Sequence, residues 1–408
     1  MENKSTNPEI RFDGFKEDWE EKKLESICAN TYGGGTPSTS NAEFWSGNIV
    51  WLQSSDLVEG QVFDVIPRKK ISKNGVSSSA AKIIPANSIA IVTRVGVGKM
   101  AIIPYEYATS QDFLSLTSLK IDKMYATYSV WNKIQSELHS VQGTSIKGIT
   151  KEELLSKKIT ITSNKTEQSQ IGTNFKHLDH LINLHQKKHE KLSRVKKAML
   201  EKMFPKKGAY TPEIRFEGFD DKWEEKNLGE VVDFYSGLTY SPNDIVKKDG
   251  TLVLRSSNVK NGEIIQTDNV FVKNNVINCQ NVKIGDIIVV VRNGSRSLIG
   301  KHAQIKEKMD NTVIGAFMTG ISSEQPSFIN ALLDSPRFIK EVEKNLGATI
   351  NQITTGAFKN MEFLFPTNKE QIKIGQYFNK LDNLISQHNT QIEKLKNIKK
   401  ALLEKMFV

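Results

Sequence analysis

The feature that most constrains the fold is an internal duplication. The 408-residue sequence aligns with itself at an offset of about 203 residues. Residues 8–24, PEIRFDGFKEDWEEKKL, match residues 212–228, PEIRFEGFDDKWEEKNL, at 12 of 17 positions, and KKAMLEKMF at 196–204 returns as KKALLEKMF at 399–407. This period is too long for a solenoid unit, whose repeats run to about 20–50 residues. The chain is therefore expected to contain two related halves.

Between these matched ends the similarity is weaker but keeps its order. TYGGGTPS at 31–38 corresponds to FYSGLTYS at 234–241, and WLQSSDLVEGQV at 51–62 to VLRSSNVKNGEI at 253–264. A third match joins QGTSIKGIT at 142–150 with LGATINQIT at 346–354. Pro205, Gly208 and Pro212 end the first half and supply a short linker. The predicted division is a first domain 1–158, a helix 159–205, a linker 206–211, a second domain 212–362 and a helix 363–408.

Apolar residues recur at alternating steps of four and three in both helices, which is the heptad pattern of a coiled coil. The predicted seam residues are Ile171, Phe175, Leu178, Ile182, Leu192 and Met199 in the first helix, and Ile374, Phe378, Leu381, Ile385, Ile392, Leu395 and Leu402 in the second. A parallel in-register pair would place Lys196 against Lys399 in one seam layer, and buried like charges repel. An antiparallel pair avoids that clash and relates the halves by an approximate dyad.

The globular segments contain short, β-branched apolar runs punctuated by Pro, Gly and Asn, which predict strands at 81–96, 113–121 and 282–295. Residues 123–138 and 326–346 have helical patterns. The predicted fold class is α+β: two globular domains with mixed or antiparallel sheets, joined by two long helices that form an antiparallel coiled coil.

The formal net charge is +10, and much of the excess lies in the two predicted helices. A lysine-rich solvated face and a face that contacts nucleic acid or a partner are equally good interpretations. The sequence contains no apolar run long enough to span a membrane and starts without a signal-peptide core, which predicts a cytoplasmic protein. Two distant cysteines and an isolated set of helix histidines predict no metal site.

No catalytic motif is recognisable, so no catalytic residue is predicted. GVGKM at 96–100 resembles the end of a phosphate-binding loop, but Met100 replaces the Ser or Thr that the motif needs. The methyltransferase signature with Asn or Asp before Pro-Pro-Tyr is absent, and so are GxSxG and HExxH.

Several segments suit contact with nucleic acid, because they pair glycine-rich backbone with side chains that can bond base edges or phosphates. A glycine-rich surface turn at 33–38 and capped turns at 53–56 and 255–258 are the structural alternatives. The candidate DNA-binding residues are Gly34, Gly35, Thr36, Gln53, Ser54, Ser55, Arg94 and Lys99 in the first half, and Thr239, Arg255, Ser256, Ser257, Asn258, Arg292, Asn293 and Arg296 in the second.

The order of these motifs resembles the specificity subunit of type I restriction-modification systems. The resemblance covers nearly the whole chain: PEIRF, GGGTPS, WLQSSDL, then EQ, IG and LD leading to KKA and KMF, with most of the set repeated. It implies two target-recognition domains that each read one half of a bipartite, asymmetric site in double-stranded DNA. It also implies a helix pair that sets the spacing of the half-sites and docks two methyltransferase subunits.

By the same resemblance, S-adenosylmethionine, ATP and magnesium would be used by the methyltransferase and restriction subunits, and this chain would bind no cofactor. GLTYSP in the second half departs from GGGTPS in the first, so loop roles transfer less safely there. Two other functions compete with this one: a coiled-coil assembly protein that binds other proteins, and a stand-alone DNA-modifying enzyme.

Overall fold

A computed structural model describes residues 7–140, 148–247, 249–346 and 351–408. The chain divides into two compact units, unit 1 with Met1–Gln186 and Thr390–Val408, and unit 2 with Lys187–Asn389. Each unit therefore contains one globular domain and parts of both long helices. Within the described residues, no helix is both long and apolar enough to cross a bilayer.

The first half of the chain carries nine strands and four helices within the described residues. The strands are β1 (Glu20–Lys23), β2 (Cys28–Gly33), β3 (Ile49–Leu52), β4 (Lys69–Ile71), β5 (Ser88–Val92), β6 (Met100–Ile103), β7 (Tyr107–Thr109), β8 (Phe113–Leu119) and β9 (Lys158–Ile161). The helices are α1 (Lys73–Ser77), α2 (Lys123–Ser140), α3 (Lys151–Ser156) and α4 (Lys165–Lys202).

The second half carries twelve strands and five helices within its described residues. The strands are β10 (Glu224–Asn227), β11 (Asp233–Ser236), β12 (Ile245–Val246), β13 (Thr251–Leu254), β14 (Val259–Lys260), β15 (Glu263–Ile264), β16 (Val270–Val272), β17 (Ile287–Val290), β18 (His302–Gln304), β19 (Thr312–Ile314), β20 (Met318–Ser322) and β21 (Glu362–Phe365). The helices are α5 (Leu228–Val231), α6 (Pro326–Asp334), α7 (Pro336–Asn345), α8 (Thr355–Lys359) and α9 (Asn368–Met406).

The sheet topology repeats between the units. An antiparallel sheet of order β2-β8-β5-β6 in unit 1 corresponds to β11-β20-β17-β18 in unit 2. A second, mixed sheet contains one parallel pair in each unit, β3 with β7 and β13 with β19. The α+β class, the mixed and antiparallel sheets and the internal duplication are confirmed. Residues 142–147 and 347–350 of the third repeated motif lie outside the described residues.

The two long helices pack antiparallel. In unit 1, Phe175 near the start of α4 packs against Phe407 just after α9, with ring centroids 5.6 Å apart. In unit 2, Phe204 just after α4 packs against Phe378 near the start of α9, at 6.1 Å. In each unit the beginning of one helix therefore lies beside the end of the other, as the seam argument predicts. Every predicted seam residue is buried or half-buried.

Both long helices begin later than their predicted boundaries at 159 and 363. Lys158–Ile161 and Glu362–Phe365 are strands that pair antiparallel with Glu20–Lys23 and Glu224–Asn227. The apolar residues of these segments alternate or run continuously, as is typical of strands, and their backbone groups pair in a two-stranded ladder. The helices therefore start only at Lys165 and Asn368. The predicted helix at 326–346 is likewise two helices, because Pro336 starts a new one after Ser335.

The repeated PEIRF and EQ motifs meet in a buried ion pair. Arg11 Nε and Nη2 donate to the two carboxylate oxygens of Glu167 at 2.5 and 2.9 Å. Arg215 makes the same bidentate contact with Glu370 at 2.7 and 2.8 Å. Both glutamates are fully buried, and the hydrogen bond to its glutamate raises the pKa of each arginine. The pair fixes the start of each half onto the first turn of its own long helix.

The two seam lysines are paired with aspartates of the opposite repeat. In unit 1, Lys399 Nζ lies 2.6 Å from Asp179 Oδ1 and 5.3 Å from the ring centre of Trp131. In unit 2, Lys196 Nζ lies 2.5 Å from Asp382 Oδ1. Neither lysine belongs to a solvated face or to a face open to nucleic acid. The KKA and LD motifs are therefore reciprocal partners in the helix pair.

Unit 2 adds two further charges at this position. Lys196 Nζ also lies 2.6 Å from Asp334 Oδ2, and His302 Nε2 lies 3.4 Å from Asp334 Oδ1. Burial alone would raise the pKa of Asp334, but the interactions with His302 and Lys196 outweigh it and hold that pKa at about 2. Burial alone would lower the pKa of His302, but Asp334 raises it above its usual range.

Candidate nucleic-acid interface

The two parallel strand pairs bring several loops to one edge of each unit. Leu52 at the end of β3 is in register with Thr109 at the end of β7, and Leu254 at the end of β13 with Ile314 at the end of β19. The segments that follow these strands therefore leave the sheet together. We call the resulting surfaces the strand-end edges. The edge of unit 1 comprises 33–38, 53–55, 93–99 and 110–112, and the edge of unit 2 comprises 237–240, 255–257, 291–296, 315–317 and 351–352.

Two of the three glycines of GGGTPS, Gly34 and Gly35, are required by close packing. A Cβ on Gly34 would lie 2.0 Å from the carbonyl oxygen of Ser110, and one on Gly35 would lie 2.3 Å from the carbonyl carbon of Ala80. The indole N–H of Trp51 donates to the Gly35 carbonyl at 3.0 Å, which further fixes the loop. Gly34 and Gly35 thus shape the loop, and Thr36 and Ser38 are its exposed polar residues.

The predicted turns after β3 and β13 are capped in the same way. The backbone N–H of Gln53 donates to the Asp56 carboxylate at 3.0 Å, and that of Arg255 to Asn258 Oδ1 at 2.9 Å. Asn258 is fully buried, and its amide nitrogen donates to three acceptors inside unit 2. Asn258 therefore holds the turn, while Ser55 and Ser257 are exposed and Gln53 is half-buried.

Arg255 is anchored rather than free. Its Nη2 donates to the carbonyl and the carboxylate of Asp268 at 2.7 and 2.6 Å, and its Nε is buried without a hydrogen-bond partner. Ser55 in unit 1 is also engaged, because Arg68 Nη2 donates to its hydroxyl at 2.6 Å. In unit 2, Asn293 Nδ2 donates to Ser256 Oγ at 3.0 Å and ties two predicted segments together.

The basic glycine loops form tight connections between antiparallel strands. Gly96 and Gly98 have positive φ angles of 86° and 93°, and the Gly98 N–H donates to the Val92 carbonyl at 3.3 Å. This hairpin geometry differs from that of a phosphate-binding loop, which leads from a strand into a helix. Arg94 and Arg292 emerge exposed beside these connections, with Arg296 exposed farther along the loop of unit 2, while Lys99 is half-buried.

Matched backbone hydrogen bonds establish which positions of the two edges correspond. The N–H of Thr93 donates to the Asp112 carbonyl at 2.7 Å, just as that of Val291 donates to the Phe317 carbonyl at 3.0 Å. Arg94 therefore corresponds to Arg292. By the same comparison of bonds, Thr36 corresponds to Thr239, Ser54 to Ser256 and Lys99 to Lys301.

The two edges share this pattern of backbone hydrogen bonds but differ in side chain at three corresponding positions. Gln53 corresponds to Arg255, Gln111 to Ala316, and Asp112 to Phe317. The hydroxyl of Thr36 donates to Gln111 Oε1 at 2.6 Å, so unit 1 carries an oriented amide where unit 2 carries a methyl group. One scaffold therefore presents different side-chain chemistry in the two units.

Sequence reasoning missed Gln111, Phe317 and the basic segment at 68–70. Gln111 lies next to a strand that the sequence predicts, at 113–121, whereas the strand after Phe317 was not predicted, and the pairing of β7 and β19 with their partners places both residues at the edges. Arg68 is exposed just before β4, the strand that pairs with β3, and Lys69 and Lys70 are exposed on it, with Lys69 Nζ 5.3 Å from the ring centre of Trp45. Three consecutive basic residues after Pro67 are a sequence signal for phosphate contact.

Groups that could bind a metal are absent from the part of the chain that the structure describes: no three His, Cys, Asp or Glu side chains gather there. The strand-end edges instead present amides, hydroxyls and guanidinium groups. These are the groups that hydrogen-bond to base edges and phosphates. The chain thus carries two such edges on a duplicated α+β scaffold with paired long helices.

Comparison with known proteins places that architecture in a family. The family model described as "Type I restriction modification DNA specificity domain" matches residues 16–194 and again residues 220–397. The chain belongs to this family, which confirms the assignment that the motif order suggests.

One similar protein matches nearly the whole chain, and another matches a shorter segment at higher identity. The specificity subunit of the type I restriction enzyme MjaIX from Methanocaldococcus jannaschii is 25% identical over 409 residues, covering 95% of this chain and 92% of that protein. The EcoR124I/EcoR124II specificity subunit from Escherichia coli is 40% identical over 84 residues, 20% of each chain. The fold is also that of the type I restriction-modification S subunit from M. genitalium, with a TM-score of 0.64 at 16% identity over 98% of this chain and 99% of that one.

Proposed function

We propose that this chain is the DNA-specificity subunit of a type I restriction-modification complex, in which each strand-end edge reads one half of a bipartite, asymmetric site. The observation that carries the proposal is the matched hydrogen-bond frame of the two edges, which holds unlike side chains at corresponding positions. As a member of this family the chain supplies specificity and not catalysis. Adenine methylation with S-adenosylmethionine, and ATP-dependent cleavage with magnesium, belong to other subunits.

Specificity subunits of type I systems act with other subunits and with DNA. We propose that this chain engages two methyltransferase subunits, with restriction subunits joining that core in the cytoplasm. The duplication supports this stoichiometry, because each half offers the same helix and domain elements to a partner. Light scattering of the assembled methyltransferase complex would give two methyltransferase chains per specificity chain. A ratio of one to one would contradict the proposal.

Binding of the basic groups to phosphates makes the affinity for DNA depend on salt. The exposed residues Arg68, Lys69 and Lys70 of unit 1 support this role. Removal of one phosphate-binding side chain should lower the slope of log affinity against log salt by about 0.9. We expect the triple change to Gln to reduce the slope by about two to three without altering the preferred sequence. A changed sequence preference with an unchanged slope would assign these residues to base reading.

The helix pair is proposed to set the spacing of the half-sites. Insertion of four residues into α4 between Asp179 and Lys196, together with four into α9 between Asp382 and Lys399, keeps both buried ion pairs and adds about 6 Å of helix. With about 3.4 Å per base pair, the preferred spacer should lengthen by about two base pairs. An unchanged spacer in the modified sites would reject the ruler function.

A stand-alone enzyme and a protein-binding scaffold predict other results. Purified chain with S-adenosylmethionine and magnesium would modify or cut DNA if it were the enzyme. The scaffold would give no salt-sensitive DNA binding even when the methyltransferase is present.

A further inference from the structure

An exposed aromatic ring lies at the edge of unit 2 beneath an arginine. The Arg292 Cζ atom lies 5.0 Å from the ring centre of Phe317, and Phe317 is 52% exposed. Among the described residues, no carboxylate forms an ion pair with Arg292. The exposed ring therefore offers a face on which the guanidinium group can rest.

The backbone on both sides of this pair is fixed. The N–H groups of Val291 and Arg292 donate to the Phe317 carbonyl at 3.0 and 3.2 Å. Arg292 also forms a β-bridge with Gln352, and the Asn293 N–H donates to the Asn351 carbonyl at 3.3 Å. Only the side chain of Arg292 is therefore free to change its conformation. The cation–π contact with the ring reduces that freedom before any ligand binds.

The ring distinguishes unit 2 from unit 1. Asp112 occupies the corresponding position beside Arg94, so the first edge has a carboxylate-bearing residue where the second has a stacking platform. A guanidinium that stacks by its face keeps its in-plane N–H donors available. Two parallel donors in one plane match O6 and N7 of guanine in the major groove, the commonest specific contact of arginine with a base.

Resting on the proposed function, we infer that Arg292, oriented by Phe317, reads a guanine in the half-site bound by unit 2. Arg292 is the reading residue, and Phe317 is a positioning residue that acts through it. Arg292 thus reads one base, at one position, in one half of the bipartite site.

The test uses the full complex with its methyltransferase partner and sequences the DNA selected from a randomised duplex pool. The variants are Arg292→Lys, Phe317→Leu and Phe317→Tyr, with Arg94→Lys as the matched control in unit 1. Lysine keeps the charge and loses the two-pronged donor pattern, so Arg292→Lys should lower the preference for guanine at one position by about five- to a hundred-fold. Phe317→Leu should weaken the same preference, and Phe317→Tyr should keep it.

The half-site altered by Arg292→Lys must differ from the half-site altered by Arg94→Lys. The inference is overturned if Arg292→Lys leaves every guanine preference intact, if Phe317→Leu acts at a different position, or if the half-site bound by unit 2 contains no required G·C pair. Failure of the proposed function would look different, because the wild-type complex would then select no sequence. Since both side chains are exposed, a folding defect is not expected, and retained selection of the other half-site verifies the fold.

Discussion

Removal of Arg215 should loosen unit 2 alone. In the folded protein its guanidinium makes two hydrogen bonds, at 2.7 and 2.8 Å, to the carboxylate of Glu370, whose side chain is 0% exposed. Arg215→Met keeps most of the side-chain volume but leaves that buried carboxylate without its partner. Breaking a buried pair in this way costs about 3–5 kcal/mol. With a factor of ten for each 1.4 kcal/mol, the protection of amides in unit 2 should fall by roughly 100- to 4,000-fold.

Hydrogen exchange read by mass spectrometry measures this separately in each unit, because the opening free energy sets the exchange rate of core amides. Peptides that contain β17 should lose protection, while peptides that contain β5 should not. Arg11→Met is the matched variant and should reverse that pattern. The double variant Arg215→Met/Glu370→Gln should recover part of the loss, since no charge is then buried. Equal protection of β17 in wild type and Arg215→Met would refute the assignment of this pair as a structural anchor.

Three other predictions test particular residues. His302→Met installs the residue that unit 1 has at the corresponding Met100. Because the folded pKa of His302 is raised, its contribution is complete below pH about 6.5 and is lost as pH rises through the folded pKa. Thermal unfolding of unit 2 should therefore differ between wild type and variant at pH 6 but not at strongly alkaline pH, and an equal difference at both would contradict this. Gly34→Ala should destabilise the GGGTPS loop because its Cβ would lie 2.0 Å from a carbonyl oxygen, whereas Gly33→Ala meets nothing within 4 Å and should be neutral in the same melting assay. Lys399→Met should lower the melting temperature of unit 1 because Asp179 would keep its hydrogen bond from Tyr128 but lose the cation that balances its charge, and an unchanged melting temperature would show that the ion pair is dispensable.

The duplication made much of the architecture predictable. Similar residues at matched positions, such as Arg11 with Arg215 and the EQ motifs, recur because each half must fix its start to its own helix. Heptad spacing and the repulsion of two seam lysines sufficed to predict an antiparallel pair. These signals lie in neighbouring residues or in the comparison of the two halves, so one sequence is enough to detect them.

The strand pairings beside the helices were not predictable in the same way. Lys158–Ile161 forms its ladder with Glu20–Lys23, more than a hundred residues earlier, and no local pattern reveals that partner. The same limit applies to the candidate interface. Gln111 and Phe317 reach the edges only because β7 and β19 pair in parallel with β3 and β13.

Asn258 is a residue that the sequence predicts to bind DNA but that has a structural role. Its side-chain type suits a base contact, and its position after a strand places it near the edge. Three internal acceptors nevertheless use its amide nitrogen, so the side chain holds the turn. Residue chemistry alone cannot distinguish a reading side chain from one that supports its neighbours, because both need the same polar groups.

The most direct test of the account is the motif methylated in DNA when this chain is expressed with its methyltransferase partner, read by methylation-sensitive sequencing. We predict an asymmetric, bipartite motif whose two halves are separated by unspecified bases. Arg94→Ala should change one half only, and Arg292→Ala should change only the other. A single uninterrupted motif, or two variants that alter the same half, would contradict the claim that the two strand-end edges read separate half-sites.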